Sequence, residues 1–251
     1  MEAGPRPRVV SLAPALTAIV TALGASEHLV GVTSWCDAPG VAVVGDMKPR
    51  PEAVLMAKPD LVVMARYGSQ APDLAPLSAL GLETLSLPLV TLEDMRATTR
   101  KLGEILSKSD TATALISRFD EALAGQSGPP VRVLIVYGQE PGFVITTGGG
   151  DHVSELIAAL GGVNVVEGPV TVRLGLDRVL SLDPEVIVHA SPSATMKDSA
   201  SALAWWSSLP TLSAVKARRV HVFPRDSLGL NSPRLADDVP ELARCLREAL
   251  P

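Results

Sequence analysis

The chain has 251 residues, 47% of them hydrophobic, which is enough apolar material for one large or two small domains. Its formal net charge is −5 with acidic and basic residues interspersed, so neither nucleic acid nor an anionic membrane is an expected partner. No window of about eighteen apolar residues is present, and residues 1–8 lack the apolar region of a signal peptide. We therefore expect either a cytosolic protein or one whose export signal or lipid anchor was removed.

Cysteines and histidines predict no metal or catalytic chemistry. Cys36 and Cys245 form neither a metal motif nor a disulfide framework, and we expect two unpaired thiols. Motifs typical of nucleophilic or metal-dependent hydrolysis are missing from the sequence. The four histidines, which are scattered without metal-ligand spacing, are His28, His152, His189 and His221. No catalytic residue, metal site or cofactor is predicted.

The first ninety or so residues alternate between apolar runs and short helical segments. Pro14 starts an apolar helix that Gly24 ends, and the strand after it runs into a loop containing Trp35. In an open α/β sheet, the carboxyl end of a strand is where ligands bind. Strands are predicted at residues 8–12, 29–33, 41–44, 61–64 and 83–87, with helices at 14–23, 52–57 and 74–79.

Residues 91–124 contain no strand pattern. Apolar residues at helical spacing predict one helix over about 91–106 and a second over about 110–124, separated by the polar segment 107–110. A helix of about fifteen residues is about 20 Å long, which is enough to span two lobes. The proline-containing segment 125–130 ends it.

The second half again alternates between strands and helices. A glycine run at residues 148–150 precedes a helix, but it lacks the spacing and the Lys-Ser/Thr of a phosphate-binding loop. Strands are predicted at residues 131–136, 143–147, 163–166, 186–188 and 219–223, with helices from 152, over 177–182, over 202–208 and over 239–250.

One segment occurs twice, at residues 52–63 and 177–188, with an offset of 125 positions from Glu52 to Asp177. Each copy opens with an acid, contains two shared apolar positions, meets a proline and continues as an apolar β-branched run. Because proline stops a helix, each copy predicts a short helix, a stop and a buried strand. Further landmarks repeat in the same order before each copy, which favours a duplicated β-α-β unit.

These segments, together with Val-Gly-Val-Thr-Ser-Trp-Cys-Asp-Ala-Pro at 30–39 and Asn-Ser-Pro-Arg at 231–234, resemble the substrate-binding proteins of ABC importers for vitamin B12, ferric siderophores and haem. The local similarity is strongest to the vitamin B12 binders. The resemblance implies two Rossmann-like α/β lobes, joined by a single rigid backbone helix, with the ligand cleft between the lobes. We expect an N-terminal lobe over 1–90, a helical connection over 91–128 and a C-terminal lobe over 129–251, in a monomeric, extracytoplasmic protein.

The resemblance implies that Glu52 and Asp177 each pair with an arginine of the membrane permease. Electrostatics agrees, because a carboxylate in the first turn of a helix is favoured by the dipole and two such acids make a two-point dock. Asp177 is one methylene shorter than the usual glutamate of the family.

The resemblance also implies a cleft lined by aromatic residues that stack on the corrin ring. Trp35 falls on one such position, Phe143 lies near another, and Asp226 matches an acid that binds the ligand edge. Three further aromatic positions of the family are filled by other residues here. The complete expected ligand-binding set is Trp35, Asp46, Arg66, Tyr67, Phe143, Thr171, Arg173, Asp226 and Leu228.

Three alternatives remain open. An anionic siderophore would favour arginines around the cleft, namely Arg66, Arg173 and Arg225. Haem would need an axial ligand, for which Tyr67 and His189 are the candidates. A cytosolic enzyme acting on a phosphorylated metabolite would use the glycine run at 148–150.

Overall fold

The computed structural model describes residues 7–46, 48–67, 74–126, 128–168, 171–190, 199–223 and 226–248. These residues form two compact units, divided after Phe119, and the segment Leu230–Arg234 belongs to the first unit although its neighbours belong to the second. Each unit has its own sheet, so the predicted α/β class with two lobes is confirmed.

The first unit is built on a five-stranded sheet in which all neighbouring strands are parallel. The strands lie in the order β3-β2-β1-β4-β5. They are β1 Val9–Ser11, β2 Leu29–Thr33, β3 Val43–Gly45, β4 Leu61–Arg66 and β5 Thr84–Pro88, and the helices are α1 Pro14–Ala22, α2 Pro51–Met56, α3 Ala75–Ser78 and α4 Leu92–Ile105.

The second unit contains a six-stranded mixed sheet in the order β11-β10-β6-β7-β9, with β8 paired to β6 off this path. Helix α5, Ser109–Leu123, leads into it across the division after Phe119. The strands are β6 Val131–Glu140, β7 Phe143–Thr146, β8 Gly162–Asn164, β9 Val172–Gly175, β10 Val186–Ala190 and β11 Val220–Phe223, and the helices are α6 His152–Ala159, α7 Leu176–Leu182, α8 Ser199–Ser207, α9 Ser213–Lys216 and α10 Val239–Arg247.

The two sheets repeat the same strand pairing at their centres. In the first unit β1 lies between β2 and β4, and in the second β6 pairs in parallel with β8 and β10. The register also repeats, since Val9 pairs with Leu61 and Val133 pairs with Val186. The predicted sequence of short helix, proline stop and buried strand is confirmed in both copies.

An arginine joins the helix and the strand of the first copy. The Arg8 side chain donates through Nε to the Lys58 carbonyl and through Nη2 to the Ala57 carbonyl, both at 2.8 Å. The backbone N–H of Arg8 donates to Asp60 Oδ2 at 2.7 Å. Lys58, which precedes Pro59, has a left-handed backbone with φ 48° and so does not continue the helix.

The second copy has the same contacts, 124 or 125 positions later. Arg132 donates to the carbonyls of Leu182 and Asp183, and its backbone N–H donates to Glu185 Oε2 at 2.8 Å. Asp183 is left-handed with φ 40°. Its carboxylate accepts from the N–H and the hydroxyl of Ser213, which lowers its pKa. We call the contacts of Arg8 and of Arg132 the two arginine links.

Several predicted boundaries differ from the observed ones. The predicted breaks at residues 90 and 128 are not where the units divide, because α4 packs on β5 and the first part of α5 also belongs to the first unit. Leu230–Arg234 joins the first unit through Asn231, whose Nδ2 donates to the Thr91 carbonyl at 2.8 Å. Strand β9 was missed, and β6 continues four residues beyond its predicted end.

Replacing the link arginines should lower stability without changing the fold. Each substitution, Arg8→Met or Arg132→Met, leaves helix-terminal carbonyls without their charged donor, and we expect a loss of about 1–2 kcal/mol in the free energy of unfolding. Urea unfolding followed by far-UV circular dichroism measures this loss. Arg178→Met, at an exposed position of α7, is the matched control. Equal stability of link and control variants would contradict the assignment.

Candidate functional site

The carboxyl ends of β2 and β3 bring Trp35 and Asp46 together. Trp35 is 63% exposed, and its indole Nε1–H donates to Asp46 Oδ1. Ser34 Oγ donates to the same oxygen at 2.8 Å. This turn requires Gly45, since a Cβ there would lie 2.5 Å from the Lys48 carbonyl oxygen. The indole is thus held by its polar edge while its ring stays open to solvent.

Two further side chains, at the carboxyl end of β4, lie at the same edge of this sheet. Tyr67 is 59% exposed, and its pKa is raised, first by partial burial of the phenol group and second by the neighbouring Cys36. The Cys36 sulfur lies 3.2 Å from Thr33 Oγ1 at the end of β2. Arg66, the last residue of β4, is partly buried. The predicted residues Trp35, Asp46, Arg66 and Tyr67 therefore all lie at one sheet edge of the first unit.

Phe143 and Arg173 lie together in the second unit. The Arg173 guanidinium carbon is 3.9 Å from the centre of the Phe143 ring, and Nη2 is 3.9 Å from Glu140 Oε2. Both residues belong to a ribbon of β6, β7 and β9 that extends past the end of β10, because β6 pairs with β10 only as far as Val136. The guanidinium group stacks on the phenylalanine ring, so Arg173 already interacts with Phe143 and Glu140 in this structure.

The remaining predicted ligand residues are placed differently. Thr171 is exposed and precedes β9, at the opposite end of that strand from Gly175. Leu228 is a correction, since its side chain is fully buried and offers no surface to a ligand. For Asp226 the structure describes only the backbone, in a 3₁₀ helix over Asp226–Gly229, and Arg225 lies outside the described residues.

Glu52 and Asp177 are both exposed, each in the first turn of a short helix. The structure records no side-chain N-cap for α2 or α7, so these acids are the negative groups near the free N–H ends. Gly175 leaves room for the second acid, because a Cβ there would lie 2.5 Å from Asp177 Oδ1.

His189 is poorly suited to ligate a metal. It is fully buried, and the indole N–H of Trp206 donates to its Nδ1 at 3.1 Å. A neutral imidazole that accepts at Nδ1 carries its proton on Nε2, so neither nitrogen has a lone pair free for iron. Within the described ranges, no group of three or more His, Cys, Asp or Glu side chains could hold a metal ion.

The glycine run at 148–150 is equally unsuited to phosphate. Asp151 caps α6, its Oδ1 accepting from the Ser154 N–H at 2.9 Å and its Oδ2 from the Thr147 hydroxyl at 2.8 Å. A fixed carboxylate therefore occupies the helix N-terminus that would have to attract an anion.

Sequence reasoning missed the contact between His189 and Trp206, which burial makes energetically important. Burial lowers the pKa of His189 to about 4. The unfolded chain then takes up a proton that the folded chain does not, so stability falls as the pH drops from 6.5 toward 4.

His189→Gln, which keeps an acceptor for the Trp206 N–H, should flatten the pH dependence of the unfolding free energy. Between pH 6.5 and 4, the unfolding free energy of the wild type should fall by at most about 3 kcal/mol more than that of the variant. Urea unfolding at a series of pH values measures it. Some dependence will remain, because burial lowers the pKa of His221 to about 4 as well. An unchanged pH profile would show that His189 is not the responsible group.

Comparison with known proteins gives concordant matches. Residues 9–226 match the family model described as periplasmic binding protein. The vitamin B12-binding protein of Vibrio cholerae serotype O1 is 27% identical, covering 98% of this chain and 91% of that protein.

Solved structures agree. The periplasmic vitamin B12 binding protein BtuF of Vibrio cholerae matches with a TM-score of 0.82 and 25% identity, over 97% of each chain. A periplasmic heme binding protein from Pseudomonas aeruginosa matches with a TM-score of 0.78 and 25% identity, over 96% of this chain and 92% of that one. Among the described residues, no helix is both long and apolar enough to cross a membrane.

Proposed function

Since the chain belongs to the periplasmic binding protein family, we propose that it is the extracytoplasmic substrate-binding component of an ABC importer and that it captures a corrinoid. The observation that carries the ligand class is the exposed indole of Trp35, held by Asp46 at the carboxyl end of a strand. A large, flat macrocycle is recognised chiefly by stacking on such rings. The similarity to vitamin B12-binding proteins supports the same choice.

Haem is the second candidate, and Tyr67 is the observation in its favour. The Tyr67 side chain is 59% exposed and follows β4, at the same sheet edge as Trp35. The raised pKa of Tyr67 further favours the protonated phenol, so iron would have to displace that proton. His189 cannot take this role while it accepts from Trp206. A siderophore has less support, since Arg173 is engaged by Phe143 and Glu140.

Trp35→Ala should weaken binding of cyanocobalamin by about 1–3 kcal/mol, because it removes one face of the stacking contact. Isothermal titration calorimetry measures the change, with Leu80→Ala, another exposed apolar residue of the same unit, as control. Wild-type affinity in the Trp35 variant would remove Trp35 from the site. Absence of cyanocobalamin binding by the wild-type protein, with haemin bound and lost in Tyr67→Phe, would favour the second candidate.

We further propose that Glu52 and Asp177 are the contacts with the permease. Both carboxylates are exposed, both stand at the second position of a short helix, and the two helices begin 125 positions apart in the duplicated halves. Two separated negative charges suit a partner that carries two matching basic side chains. The family match and the overall charge of −5 are consistent with this kind of partner.

Charge reversal tests the docking proposal. Glu52→Arg combined with Asp177→Arg should weaken binding to the cognate permease in nanodiscs by roughly 100-fold or more, because two attractive contacts become repulsive. The affinity for cyanocobalamin in solution should change less than about twofold. Glu121→Arg, an exposed acid on α5, is the charge-matched control. Wild-type permease binding by the double variant would refute the docking role.

A further inference from the structure

The two docking helices share a second surface feature besides the acid. Each repeated segment has two consecutive apolar positions, which the sequence pattern alone does not distinguish. The structure separates them, because Val54 and Val179 are completely buried whereas Leu55 is 46% exposed and Leu180 is 40% exposed. Single exposed leucines are ordinary on protein surfaces. An exposed leucine at the equivalent position of both halves is much less common than a single exposed leucine.

Each leucine lies three residues after the acid of its own helix. Residues three apart on a helix lie on one face, so Glu52 neighbours Leu55, and Asp177 neighbours Leu180. The first helix continues with Met56, which is 82% exposed and enlarges the apolar area beside Glu52. Each helix therefore presents a carboxylate and an apolar side chain side by side to solvent.

These helices are also held firmly. They have only six and seven residues, and the arginine links fix their carboxyl ends to the first strand of each unit, β1 or β6. The buried valine between acid and leucine fixes the rotation of each helix against its unit. A rigid surface loses little conformational entropy on binding, which favours its use as a contact.

We propose that Leu55 and Leu180 are apolar docking contacts for the permease, each seated beside the basic side chain that pairs with the neighbouring acid. The inference rests on the proposed docking role of Glu52 and Asp177, and it adds the kind of surface that the permease must present to them. The permease should offer, twice, a cation bordered by an apolar depression. A second copy of this chain is a poorer occupant, because a symmetric contact would place carboxylate against carboxylate. An anionic lipid surface is repelled for the same reason.

The two kinds of contact can be separated by salt. Attraction between exposed charges is screened as ionic strength rises, whereas burial of an apolar side chain is not weakened. An interface that used charge alone would lose nearly all of its affinity in concentrated salt. One that also buries two leucines should keep a residual affinity that depends on those leucines.

The test compares Leu55→Gln/Leu180→Gln with the wild-type full-length chain. Glutamine keeps the side-chain length and the helix propensity, so the helices should persist. The matched control is Leu80→Gln/Val163→Thr, one exposed apolar residue in each unit at 43% and 52% exposure. Binding to the cognate permease in nanodiscs is measured at about 0.15 M and about 0.5 M sodium chloride, together with thermal stability and cyanocobalamin affinity.

We expect the leucine variant to bind the permease roughly tenfold to 100-fold more weakly at both salt concentrations, with unchanged stability and ligand affinity. The control variant should bind within about twofold of wild type. The inference is overturned if the leucine variant binds like wild type, or if leucine and control variants lose affinity equally. Charge reversal at Glu52 and Asp177 keeps the two proposals apart. If it weakens binding and the leucine change does not, docking through the acids stands alone, and if neither does, both proposals fail.

Discussion

The arginine links are the interaction on which the rest of this structure depends. A proline ends each repeated helix and turns the chain into a buried strand, which leaves helix-terminal carbonyls and a left-handed residue to be stabilised. Arg8 and Arg132 satisfy those carbonyls with a charged donor, while their backbone groups start the sheet registers with Asp60 and Glu185. Helix, turn and strand are thereby fixed as one piece in each half.

The fixed unit of helix, turn and strand determines where the proposed functional side chains lie. The strands end at a common edge in the first unit, where Tyr67 remains exposed and the exposed indole of Trp35 is held by the Asp46 carboxylate. The helices preceding β4 and β10 point their first turns to solvent, which exposes Glu52 and Asp177. The proposed ligand contacts thus lie on loops after strands, whereas the proposed permease contacts lie on helices held at their far ends.

Most of the fold could be predicted from the sequence, because proline stops, glycine caps and apolar periodicity mark the elements and the repeat fixes their order. The four-residue β9 could not, since it is short and ends in Gly175, a residue type depleted in strands. Leu228 looked like a site residue from the family resemblance alone, and only packing reveals that it is buried. Likewise, a pattern of two adjacent apolar residues in a six-residue helix cannot say that Val54 faces inward and Leu55 outward.

The two halves resemble each other on the docking helices but not at the sheet edges, and this difference separates the two proposed roles. Among the described residues at the sheet edges the side chains differ: the first unit offers an indole held by a carboxylate, while the second offers a phenylalanine covered by Arg173. On the docking helices the acid, the buried valine and the exposed leucine recur 125 positions later, and the arginine of the link recurs 124 positions later. An asymmetric ligand imposes different contacts on its two sides. A repeated surface suits a partner that presents the same chemistry twice, which supports assigning the recurring acid and leucine to the proposed permease contact rather than to the proposed ligand contact.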